Sequence, residues 1–119
     1  MKILFITPGI AKRGGCIVLT ALAREMEKRG HHIKIVAFDK KGDKNYLRSW
    51  FLWQDLKPEI IEINCRKTKN EERLEFFQAV REYLVKNENK FDRIILDSWY
   101  IFNAIARLNI IDKRFFQLV

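Results

Sequence analysis

The stretch Met1-Lys-Ile-Leu-Phe-Ile-Thr-Pro8, with the loop Gly9-Ile-Ala-Lys-Arg-Gly-Gly15 behind it and a patterned run closing at Gly30, decides how this chain folds. Ile3 to Thr7 reads as a strand buried on both faces, and Pro8 ends it. Beyond the loop, Leu19, Leu22, Ala23 and Met26 recur at helical spacing. Arg24, Glu25, Glu27 and Lys28 take much of the opposite face. Gly30 stands where a helix C-cap belongs. Ile33 to Phe38 then reads as a second strand, rich in β-branched residues. Strand, helix and strand within forty residues make a βαβ unit, parallel and right-handed.

The rhythm continues downstream after one interruption. Asp39 to Pro58 is basic through Lys40, Lys41, Lys44 and Arg48, and locally apolar at Trp50-Phe51-Leu52-Trp53. Ile60 to Asn64 reads as a third strand. Asn70 is expected to cap a helix whose first turn carries Glu71 and Glu72, favourable against the helix dipole. Leu74, Phe77, Val80, Leu84 and Val85 are its expected apolar face. Arg93 to Asp97 reads as a fourth strand, Ser98 as the cap of a short helix through Arg107, and Phe115 to Val119 as the start of a fifth strand. The fold class is α/β, a Rossmann-like parallel sheet with flanking helices, in one domain over residues 1–119. Open α/β sheets bind ligands outside the carboxyl ends of their strands. A chain that stops on such a strand reads as the N-terminal piece of a longer protein.

Composition narrows the function classes. The 119 residues are 48% hydrophobic and 32% charged, which is globular and not disordered. The formal net charge of +8 suits acidic partners such as nucleotides, phosphates, nucleic acid or an anionic membrane face. Lysine-rich solvated surface explains the same excess. No apolar run approaches the ~20 residues that span a bilayer, and the opening run is too short for a signal peptide. Cys16 and Cys65 lie far apart without CxxC spacing, so neither a disulfide framework nor a metal site is expected, and a cytoplasmic setting fits. The basic residues are scattered, and no helix-turn-helix or RNA-stacking motif accompanies them, so a nucleic-acid partner is not expected.

The loop after the first strand comes near a P-loop and misses it. Gly9 and Gly14 have the G-x-x-x-x-G spacing. Gly15 replaces the lysine that reaches the phosphates, and Cys16 replaces the Mg²⁺-holding Ser or Thr. The G-x-G-x-x-G dinucleotide fingerprint is absent as well. What remains is a glycine pair at a helix start, where free N–H groups face whatever sits in the loop. A tight strand-to-helix turn that needs glycine accounts for the same pair. Cys16, at the same helix start, is either a thiol of lowered pKa or a small packed residue. Asp97, Ser98 and Trp99 end the fourth strand, where an open sheet takes its ligands, or Asp97 and Ser98 are plain helix caps. His31 and His32, adjacent in an extended segment, point to opposite faces and do not share a metal. Trp50-Phe51-Leu52-Trp53 beside the basic run fits a membrane surface, an apolar ligand, or ordinary packing on the sheet or against a missing part of the protein.

A resemblance gathers these residues. Met1 to Pro8, then Arg13-Gly14-Gly15, then Leu22-Ala23-Arg24-Glu25-Met26-Glu27-Lys28-Arg29-Gly30-His31-His32-Ile33 resembles the start of GT-B glycosyltransferases of the family 4 type. Their helix-to-strand passage reads LA-x-x-L-x-x-RGH-x-V, and Phe91-Asp92-Arg93-Ile94-Ile95 falls in the expected order. The resemblance covers most of the chain and is weakest over residues 39–58. It implies two Rossmann-like domains facing a cleft, the N-terminal one holding the acceptor and the C-terminal one the nucleotide sugar through an E-x7-E pair. It implies that Gly14 and Gly15 offer backbone N–H groups to the donor diphosphate.

The expected function is therefore the acceptor-side N-terminal domain of a glycosyltransferase, with Gly14, Gly15, Asp97, Ser98 and Trp99 as substrate-binding residues. The sequence assigns no catalytic residue. The expected co-substrate is a nucleotide sugar, with no further cofactor and no metal. The expected partners are a sugar or lipid-linked acceptor, the absent C-terminal domain and a peripheral membrane contact. The E-x7-E pair is missing, so these 119 residues alone are expected to be inactive. The alternative is a non-catalytic nucleotide- or phosphate-binding regulatory domain.

Overall fold

The computed structural model describes residues 1–7, 14–40, 54–63, 69–97, 101, 103, 105, 106 and 111–117. Among these residues five strands are found: β1 (Lys2–Thr7), β2 (His32–Lys40), β3 (Glu59–Ile63), β4 (Arg93–Leu96) and β5 (Phe115–Gln117). Two long helices accompany them, α1 (Gly14–Lys28) and α2 (Lys69–Asn87), with 3₁₀ turns at Gln54–Leu56 and Glu88–Lys90. The sheet is parallel throughout in the order β3-β2-β1-β4-β5. Phe5 at its centre stands opposite Ile35 on one side and Ile95 on the other.

Side-chain alternation sorts the core into two layers. Ile3, Phe5, Ile35, Ala37 and Ile95 face α1, where Leu19 and Ala23 cover them and Leu56 closes the margin. Leu4, Ile6, Val36, Phe38, Ile94 and Leu96 face α2, where Phe76, Val80 and Leu84 pack, together with Ile101 and Ile105. Phe38 meets Phe76 edge-on, with ring centroids 5.7 Å apart and planes at 81°. Burying each of these large side chains contributes about 2 kcal/mol, and truncating Phe38 to alanine would cost about 3–5 kcal/mol.

The end of α1 follows from Gly30. Its φ is +92°, in the left-handed region that glycine enters freely. The Gly30 N–H donates to the Glu27 carbonyl at 3.0 Å and the His31 N–H to the Met26 carbonyl at 3.2 Å. These two bonds form a Schellman cap, and they deliver the chain directly into β2.

Three expectations need correction. Asn70 does not cap α2; the helix already includes Lys69, so Asn70 lies inside the first turn. Leu74 and Val85 are not core residues, being 67% and 61% exposed. They lie about 160° and 180° around the helix from Phe76, which shares the buried face with Val80 and Leu84. The third strand starts one residue early, at Glu59. Trp50-Phe51-Leu52-Trp53, Asn64 and the end of the fifth strand at Leu118-Val119 lie outside the described residues. No described helix is long and apolar enough to cross a membrane.

Candidate functional site

The strand order reverses direction at β1. The chain leaves β1 through α1 to build β2 and β3 on one side, then returns through α2 to place β4 on the other. The segment after β1 covers one face of the sheet, whereas Ile101 and Ile105 after β4 join the opposite face. The two connections run to opposite faces, and in open α/β sheets such divergence, here between the carboxyl ends of β1 and β4, marks the ligand crevice. That switch point is where open α/β sheets take their ligands.

Thr7 and Asp97 meet there. Thr7 ends β1 and is fully buried. Its Oγ1 donates to Asp97 Oδ2 at 2.8 Å. The Asp97 N–H donates to the Ile6 carbonyl at 3.0 Å, extending the β1–β4 ladder by one residue. The Asp97 side chain is half-buried. The sequence pointed to Asp97 and missed Thr7. The signal was present: a hydroxyl closing an otherwise apolar strand just before a proline must find a partner if it is buried.

The glycine pair occupies the first turn of α1. Gly14 is its first residue, and no acidic side chain lies in that turn to neutralise the positive end of the dipole. A helix that follows a parallel strand runs back antiparallel to it, so its N-terminus stands at the carboxyl edge of the sheet. The N–H groups of its first turn therefore face the carboxyl edge of the sheet. The loop from Pro8 to Arg13, the Cys16 side chain, Ser98 and Trp99 lie outside what is described, so the structure relates Asp97 to Thr7 and leaves the other two acceptor candidates unplaced.

The histidines sit at the far end of the molecule. His32 opens β2 opposite Lys2. The Met1 ammonium group donates to His31 Nδ1 at 3.0 Å. Both therefore lie at the amino edge of the sheet, away from the crevice. Among the described residues no group of three His, Cys, Asp or Glu side chains is arranged to hold a metal ion.

A separate groove of about 560 Å³ runs between the edge strand β3 and α2, lined by Ile61, Glu62, Glu75, Gln78, Tyr83 and Lys86 among others. Burial, helped by the Glu59 charge, pushes the Tyr83 phenol up to about 12. The groove lies along the flank of the sheet and does not include Thr7 or Asp97.

No protein-family model and no curated protein matches this chain. Among solved structures it is similar to the crystal structure of MurG from Acinetobacter baumannii, with a TM-score of 0.57 and 18% sequence identity. The match covers 92% of this chain and 32% of that one, so the chain spans about a third of the length of MurG. At that identity the likeness is one of fold: the domain is a Rossmann-like α/β sheet of the GT-B kind.

Proposed function

We propose that this chain is the acceptor-side N-terminal domain of a glycosyltransferase, one that moves a sugar from a nucleotide-sugar donor to an acceptor. The observation that carries the reading is the GT-B-like fold joined to a glycine-bearing helix start at the carboxyl edge of the sheet. The RGH passage at Arg29-Gly30-His31 supports the family 4 type within that fold.

The chemistry follows from the positions. When a sugar leaves its nucleotide, negative charge grows on the diphosphate. The N–H groups of Gly14 and Gly15 and the positive end of α1 are fixed in place before that charge develops. Preorganised donors of this kind stabilise a transition state by about 3 kcal/mol each. The absence of a Cβ at both positions lets the diphosphate approach the backbone closely. In this reading Asp97, at the carboxyl end of β4, accepts hydrogen bonds and repels phosphate, which suits that side to an uncharged, hydroxyl-bearing acceptor. A partner domain supplies the rest of the donor site in this reading.

Turnover of a nucleotide sugar by the full-length transferase tests it. Gly15→Val and Gly15→Asp should each cut turnover at least about a hundredfold while circular dichroism shows the fold intact. Wild-type turnover in both variants would overturn the assignment. Phosphate binding at Gly15 without sugar transfer from any nucleotide sugar would favour a regulatory phosphate-binding domain.

A further inference from the structure

Thr7 carries a role that neither the glycine pair nor Asp97 explains. It is the polar terminus of a strand whose last five residues are all buried. Its hydroxyl reaches across the switch point to a residue 90 positions away. Strand pairing does not require this contact. Ile3 to Ile6 already pair with Arg93 to Leu96, and the Asp97 backbone is tied to Ile6. A valine would fill the same volume without bringing a hydroxyl into the core. Whatever else Thr7 touches, its hydroxyl controls one carboxylate oxygen of Asp97.

The other oxygen is left over. Among the described residues Asp97 Oδ1 takes no hydrogen bond, and the side chain is only half-buried. A carboxylate with one oxygen held and one open has a fixed plane and a single free acceptor. We propose that Thr7 is a positioning residue: it holds Asp97 so that Oδ1 accepts a hydrogen bond from a hydroxyl of an uncharged sugar in the crevice. The identity of the ligand rests on the glycosyltransferase reading; the fixed oxygen rests on the Thr7–Asp97 contact.

Electrostatics favours a neutral hydroxyl compound over an anion at this spot. The carboxylate charge repels phosphate, and the start of α1 attracts it. The two poles on one sheet edge sort a charged donor from an uncharged acceptor. A hydroxyl hydrogen bond to a charged group is sensitive to direction, so a carboxylate free to rotate binds more weakly than one locked in place.

The test uses the chain itself, with the side-chain carboxyl carbons of its aspartates labelled for NMR and the Asp97 signal identified by its loss in Asp97→Asn. Uncharged monosaccharides (glucose, galactose, mannose and N-acetylglucosamine) are titrated in turn. The Asp97 signal should move with at least one of them. Thr7→Val should weaken that sugar about tenfold, and Thr7→Ser, which restores the hydroxyl, should recover it to within about twofold. Thr7→Ser also guards against a folding defect in the valine variant. Equal affinity in the folded valine variant, or no movement of Asp97 with any sugar, would overturn the proposal. Failure of the transferase reading shows elsewhere, as absence of turnover with every nucleotide sugar, and leaves a Thr7-dependent sugar contact standing.

Discussion

Arg24 on α1 holds Asp55 with two parallel hydrogen bonds, Nε to Oδ2 and Nη2 to Oδ1, each 2.8 Å long. The fork ties the helix to the 3₁₀ turn that leads into β3. It also holds the Asp55 carboxyl below the usual carboxylate range, chiefly through the hydrogen bond from Arg24. Both side chains are well exposed, at 39% and 59%, so solvent screens most of the attraction. Asp55→Asn should therefore cost less than about 1 kcal/mol in urea unfolding at neutral pH. A lowered folded-state pKa means the contribution is present above about pH 4 and fades as the pH falls through the folded value. The variant should match the wild type more closely in acid than at pH 7.

Arg114 is the stronger case. Its Nη1 donates to the Glu88 carbonyl at 2.8 Å, its Nη2 pairs with the Glu88 carboxylate, and its Nε reaches Asp112 at 3.0 Å. Glu88 is only 12% exposed, so removing the guanidinium strands a largely buried carboxylate. Arg114→Met should lower stability by about 2–3 kcal/mol, well beyond the Asp55 variant. Chemical denaturation of the two side by side checks the ranking, and equal losses would contradict it. The staple fixes the start of β5 against the turn after α2, so amide exchange in Phe115–Gln117 should also quicken.

Gly30→Ala isolates a backbone effect. A Cβ added at Gly30 meets nothing within 4 Å, so crowding contributes nothing. The φ of +92° remains, and an L-residue there should cost about 1 kcal/mol or somewhat more. Gly30→Asn should cost less than alanine, since asparagine tolerates the left-handed region better. Thermal unfolding of both variants gives the order.

Tyr83 predicts an alkaline limb. Burial raises its phenol to about 12, against 10.0 for the unfolded chain. A raised folded value means its contribution is complete below pH 10 and is lost as the pH climbs toward 12. Tyr83→Phe should flatten that loss in stability measured over the same interval. An unchanged alkaline limb would show that the phenol titrates normally.

The centre of the sheet was readable in the sequence because β1 and β4 are hidden on both faces. Ile3 to Ile6 and Ile94 to Leu96 carry apolar runs that only a doubly covered parallel strand explains, and Gly30 marks where α1 must end. The α2 face was misread because its apolar residues are spread around the helix. Leu74 and Val85 look like core by type, but Phe76 has the ring that reaches Phe38. Part of the candidate site was legible in the same way. Gly14, Gly15 and Asp97 follow strands or open a helix, positions that local pattern reveals. Thr7 was not, because its role depends on a partner 90 residues away that becomes its neighbour only when β4 returns beside β1.

In the function proposed above, the start of α1 receives the diphosphate of a nucleotide sugar. Amide NMR of this chain, titrated with uridine diphosphate and in parallel with uridine, tests it most directly. The account predicts that the Gly14 and Gly15 amide signals move with the diphosphate and not with the nucleoside, and that Gly15→Asp abolishes the movement. Signals that stay still with the diphosphate, or move equally with uridine, would contradict it.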